Sequence, residues 1–270
     1  MKAKGTGLRL YTIIYLAFLY APIILLPMFA FNDGTIIAFP LKGFTTKWFA
    51  LMAEKDQLHQ AVMNSLIVAA STAVLATVLG TFAARASTRF QFRGKSGIMA
   101  LIMLPLVLPE MIVAMAILVV LLQMGITLGV WSIILGHTLV CTPFAIAILS
   151  AAFQSLDQSL EEAAYDLGEG KFSTFRLIIL PLVLPGIISS VLISFTISMD
   201  EFILAQFLGG NEATLPVYIY SQLRFPKEIP VIMAVATVLV AVSICLLIIA
   251  EYFRRRGVAK TGGKNSGGFL

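Results

Sequence analysis

Charge is scarce in this 270-residue chain: Asp, Glu, Lys and Arg make up 12% of it, where an average soluble domain carries roughly a quarter. Cysteine and histidine are scarcer still, with Cys141, Cys245, His59 and His137 the full complement. Both cysteines fall inside apolar runs, which makes them small buried hydrophobes rather than a disulfide or metal pair. No Cys or His cluster has metal-ligand spacing, and neither His-Glu-x-x-His nor Gly-x-Ser-x-Gly occurs. Gly94-Lys95-Ser96 has the ending of a phosphate-binding loop, but that motif needs glycine five residues before Gly94, where Arg89 stands, and no strand precedes it. The sequence therefore carries no machinery for hydrolysing ATP and no cofactor site of its own.

Apolar residues are abundant, at 59% of the chain, and the mean hydropathy is +0.95. An all-α integral membrane protein follows. A spanning helix needs about 20 apolar residues. Six stretches qualify: residues 11–31, 61–84, 98–122, 131–152, 182–204 and 230–250. They form one transmembrane domain over residues 1–256, followed by a Gly-, Lys- and Ser-rich tail, 257–270, whose composition predicts disorder. The first stretch follows Lys2, Lys4 and Arg9 but is longer than a signal peptide's apolar core, so it reads as an uncleaved anchor. The net charge of +5 is spread over loops and does not suggest nucleic acid.

Basic residues assign the sides. Fourteen lie on one side: Lys2, Lys4, Arg9, Arg85, Arg89, Arg93, Lys95, Lys171, Arg176, Arg254, Arg255, Arg256, Lys260 and Lys264. Lys42, Lys47, Lys55, Arg224 and Lys227 are the five on the other. Both termini and the loop 153–180 are thus expected in the cytoplasm. In the outer loop before residue 61, Gly43 to Phe49 predicts a short interfacial helix capped by Thr45 or Thr46, with Trp48 among aromatics at headgroup level, and His59 is expected in the same loop.

The loop 153–180 is a polar interruption between two apolar segments. Ser159 and Glu162 have capping-box spacing, and Leu156, Leu160, Ala163, Ala164 and Leu167 share one helical face. Gly168 supplies the left-handed residue that ends the helix, and Ser173 is placed to cap the next. By these residues alone the loop serves either as a hairpin packed on its own protein or as a docking face. Glu162-Ala163-Ala164, three residues, Gly168, nine residues, then Ile178-x-Leu180-Pro181 resembles the signature loop of membrane subunits of binding-protein-dependent ABC importers. The resemblance implies a six-helix permease of the type I (MetI-like) fold in the bacterial inner membrane. It also implies an ATPase-coupling helix at Leu160, Glu162, Ala163, Ala164, Leu167 and Gly168. The implied partners are a second permease, a cytoplasmic ATPase dimer that binds the ATP and Mg, and a periplasmic solute-binding protein.

Three acids lie inside the expected spans: Glu110, Asp200 and Glu201. Burying them in a bilayer costs roughly 2.5–3.5 kcal/mol each on insertion scales, so they face a cavity or a partner. Pro105 and Pro109 beside Glu110, with Pro143 and Pro185, break or kink their helices. His137 is either a functional intramembrane group or an interhelical hydrogen-bonding one. The run Ser194 to Glu201, with Gly43 to Phe49, resembles the second permease subunit of spermidine/putrescine importers, although the second acid of the pair is Glu201 where the subgroup has Asp. That resemblance implies a pathway for a polyamine or related cation along Glu110, Ser198, Asp200, Glu201 and Trp48. Permeation of another small organic solute, a stand-alone carrier or channel, and a membrane-embedded enzyme using Glu110, Asp200 and His137 are the alternatives. The enzyme would need a nucleophile or metal set that the sequence lacks.

Overall fold

The computed structural model describes residues 4–260, which form helices and short loops with no strand among them. By packing the chain divides into two compact units, residues 1–55 with 221–270, and residues 56–220.

The first unit holds α1 (Lys4–Ala30), α2 (Lys47–Ala53) and α12 (Ile229–Lys260). Ala30 and Trp48 pack against Val231 and Ala234 of α12. The indole N–H of Trp48 donates to the Asn32 carbonyl at 2.8 Å, and the Thr45 hydroxyl accepts the Lys47 N–H at the start of α2. The end of α2 is tied to the start of α12 by an ion pair, Lys55 Nζ to Glu228 Oε2 at 2.7 Å. α12 continues to Lys260, into the stretch expected to be unstructured. The rest of that expectation, 261–270, lies outside the described residues.

The second unit is built on α3 (Asp56–Arg89), α6 (Val130–Gln154) and α9 (Leu180–Asp200). Small residues let these backbones approach, as membrane helices require when lipid supplies no hydrophobic drive between them. A Cβ on Gly80 would sit 2.7 Å from that of Ala145, and one on Gly186 would sit 2.6 Å from that of Ala152. Ala76, Ala84, Cys141, Ala145, Leu149, Phe153, Ile179 and Val183 fill the seam. Hydroxyls cross it as well, Thr77 to Ser190 at 3.0 Å.

The described residues show four or five of the six expected spans. Among the described residues four helical stretches are long and apolar enough to cross a membrane: Gly7–Ala30, Asp56–Arg89, Val130–Gln154 and Lys171–Asp200. The third expected span is broken. α4 (Lys95–Met103) and a 3₁₀ turn (Leu104–Leu106) meet α5 (Glu110–Gln123) at a bend of 105°, so the pair makes a fifth crossing only if it acts as one. Pro105 and Pro109 have no N–H and break the ladder. The N–H groups of Val107 and Leu108 both converge on the Leu104 carbonyl, and those of Ile112 and Val113 on that of Pro109. The sixth expected stretch, 230–250, lies within the single helix α12, of which the described apolar run reaches Cys245.

Boundaries shift too. α3 is 34 residues, about 51 Å at 1.5 Å per residue, against a hydrocarbon core of about 30 Å. Arg85 and Arg89 therefore lie on its last turns rather than in a loop, and His59 lies on its first turns. The span expected to reach 204 ends at Asp200, because Glu201 turns the chain and caps α10 (Ile203–Leu208). Its other end runs back through α8 (Lys171–Thr174) and a π-helical turn (Phe175–Ile179) just before Pro181.

Candidate functional site

The loop 153–180 folds as expected in outline, with α7 (Ser159–Asp166) at its centre. Its start differs. Ser159 lies within the helix, and its N–H is accepted by Asp157 Oδ1 at 3.0 Å, so Asp157 fills the role expected of Ser159 and no reciprocal bond to Glu162 forms. That accepted N–H also holds the Asp157 carboxyl below its ordinary value. Ser173 likewise lies inside α8, which begins after Gly170.

The end of α7 matches the expectation. Gly168 has φ +88, its N–H donates to the Tyr165 carbonyl at 2.9 Å, and the Glu169 N–H donates to the Ala164 carbonyl at 3.0 Å. This is the paired hydrogen bonding of a left-handed helix stop. Ala164 is buried, while Leu160, Glu162, Ala163 and Leu167 are exposed, Leu167 to 85%. The helix thus turns one small residue inward and offers an apolar and acidic surface outward.

Sequence reasoning passed over Glu161. Arg85 Nη1 donates to Glu161 Oε1 at 2.8 Å, Arg85 Nη2 pairs with Oε2, and Arg89 Nε lies 3.0 Å from Oε1. These cations hold the Glu161 carboxyl below its ordinary value of 4.5, the hydrogen bond from Arg85 most of all. The contribution of the contact to stability is therefore complete above that value and is lost as pH falls through the lowered one. Arg89 Nη2 also donates to the Leu156 carbonyl at 3.1 Å.

The acids gather at a second place in the same unit. α10 packs on α5 and α6 through Leu204, Ala205, Leu208, Val113, Ala114 and Ile133, helped by Gly136, whose missing side chain leaves room for Leu208 and Leu204. The hydroxyl of Ser132 donates to the Leu208 carbonyl at 2.7 Å. Glu201, fixed by accepting the Leu204 N–H at 2.9 Å, is thereby brought within electrostatic reach of Glu110. Glu110 is exposed at the first turn of α5 rather than deep in a continuous helix. Asp200 is exposed at the end of α9. Ser198 is buried and engaged by His137 Nδ1 at 2.8 Å, so both residues serve the α6–α9 contact. Trp48 is 5% exposed with its N–H satisfied, and it packs within the first unit.

A helical membrane chain with an exposed, Gly-stopped loop helix and a broken span fits a transport permease. Residues 76–257 match the family described as the binding-protein-dependent transport system inner membrane component, and the chain belongs to that family. It is a permease subunit of an ABC importer. It is 35% identical over 253 residues to the spermidine/putrescine transport system permease protein PotC of Shigella flexneri, covering 93% of this chain and 95% of that one. To the putrescine transport system permease protein PotI of Escherichia coli K12 it is 34% identical over 247 residues, 88% and 87% of the two chains. Its fold resembles a bacterial ABC transporter involved in the import of the acidic polysaccharide alginate, at a TM-score of 0.73 and 16% identity over 92% of this chain and 96% of that one.

Proposed function

We propose that this chain forms one half of the membrane pathway for a polyamine or related cationic organic solute, moved from periplasm to cytoplasm by alternating access. A second, different permease supplies the other half. An ATPase dimer docks on the outward surface of α7 and supplies ATP and Mg chemistry, the chain itself binding no cofactor. A loaded periplasmic binding protein docks on the opposite side. Both termini lie in the cytoplasm of a bacterial cell, a placement that the distribution of basic residues supports.

The observation that carries the cation reading is the set of Glu110 at the start of α5, Asp200 at the end of α9 and Glu201 just after it, with no Lys or Arg on α5, α9 or the α6 packed against them. Such a grouping supplies negative potential where a solute sheds water. Similarity to PotC and PotI through most of the chain supports the same class. Glu110→Gln, Asp200→Asn and Glu201→Gln keep shape and remove charge, and Gln at 201 still accepts the Leu204 N–H. Uptake of spermidine should fall in these variants, more than uptake of putrescine, because the Coulomb energy scales with solute charge. Unchanged uptake of both by all three variants sinks the cation assignment.

A further inference from the structure

We propose that Glu161 is a positioning residue: clamped by Arg85 and Arg89, it makes α7 and the last turns of α3 move as one body, so that a push on α7 reaches the longest helix of the second unit directly. This rests on the reading of α7 as the helix on which the ATPase docks.

α7 has eight residues, well below the length at which an isolated helix persists in water. The left-handed stop at Gly168 sets where it ends, and short necks, residues 155–158 and Gly168 to Gly170, join it to its neighbours. Ala164 is its buried residue, and a methyl group fixes distance but not direction. The Arg85 fork on both oxygens of Glu161 does fix direction, because a bidentate pair sets an angle as well as a separation.

The clamp is shielded, which distinguishes it from an ordinary surface pair. The side chains of Arg85, Arg89 and Glu161 are 18%, 9% and 12% exposed, and the Arg85 guanidinium lies 5.9 Å from the centre of the Phe153 ring. Arg89 reaches past Glu161 to the Leu156 carbonyl, so the neck before α7 is held by the same helix. Glu162, the adjacent residue, projects about 100° away and is exposed. The two neighbouring acids thus divide the work: one faces the chain's own α3, the other faces outward.

The test uses the complete importer with its ATPase and binding protein, reconstituted in vesicles, with labelled spermidine as solute. In Glu161→Gln, ATPase co-purification should persist while spermidine imported per ATP hydrolysed falls by about tenfold, the factor that loss of one charge-assisted contact supplies. A merely structural role would lower yield and leave that ratio unchanged. Should Glu161→Gln not accumulate, Arg85→Cys with Glu161→Cys in a Cys245→Ser background carries the test. A short thiol-specific cross-linker joining the two positions should restore the ratio, and reversal of the link should lower it again. Equal ratios with and without the link, or a wild-type ratio in Glu161→Gln, overturn the proposal. Leu167→Asp separates the two readings: if it leaves ATPase co-purification intact, α7 is not the docking helix and the underlying reading fails first.

Discussion

Replacing Gly168 tests whether backbone conformation, and nothing else, sets the end of α7. The residue has φ +88, and a Cβ added there would meet no atom within 4 Å. Steric clash is thereby removed from the argument. What remains is left-handed strain, about 1–2 kcal/mol for an L-residue and greatest for a β-branched one. The chain can escape by leaving the left-handed region, but it then loses the bonds from Gly168 N–H to Tyr165 and from Glu169 N–H to Ala164, each worth about 0.5–1.5 kcal/mol net. Both routes cost about the same, so Gly168→Val should reduce the population of the correct stop by roughly 5- to 30-fold relative to misaimed ends. The segment is exposed, so global unfolding in detergent should barely move. The assay is spermidine imported per ATP hydrolysed in the reconstituted importer, for Gly, Asn, Ala and Val at 168. Asn tolerates the left-handed region better than Ala although it is larger. The expected order is Gly, Asn, Ala, Val. An order that follows side-chain volume, with Ala above Asn, refutes the reasoning, and equal coupling in all four shows that the stop carries no signal.

Two further substitutions probe the frame behind the sites. Gly80→Val forces atoms against the Cβ of Ala145 at 2.7 Å and the Ile146 nitrogen at 3.2 Å, and should destabilise the second unit by about 1–3 kcal/mol, read as a lower midpoint of thermal unfolding in detergent. Ser198→Ala removes the partner of His137 Nδ1 in a buried seam and should cost about 1–3 kcal/mol by the same measurement, with Ser198→Thr recovering part of it.

The sequence was informative where one residue type has one physical use. Gly168 announced its left-handed stop because no other residue adopts that conformation without cost, and Pro105 with Pro109 announced a broken helix because neither has an N–H to give. It was less informative where several residues compete for one role: Asp157 accepts the N–H of Ser159 and takes the capping role that spacing assigned to Ser159, and apolar periodicity did not say that α3 would run on to Arg89. Trp48 suits a headgroup belt and a buried seam equally, and only the fold around Asn32, Val231 and Ala234 decides between them. Glu161 was invisible for a different reason. Its partner Arg85 stands 76 residues away, and a contact made by folding leaves no trace in local spacing.

The broken third span says something about company. Around the break, the N–H groups of Val107 and Leu108 share the Leu104 carbonyl and those of Ile112 and Val113 share that of Pro109, while among the described residues no backbone N–H reaches the carbonyls from Pro105 to Leu108. Hydrocarbon has nothing to offer a bare carbonyl, and each one left in it costs several kcal/mol. Where those carbonyls lie at membrane depth, water or another polypeptide has to cover them. A copy inserted by itself would then be an unfinished object, with that seam open to the bilayer. Its persistence in the membrane should depend on what closes that seam, so that supply of the whole assembly, rather than synthesis of this chain, sets how much of it a cell keeps.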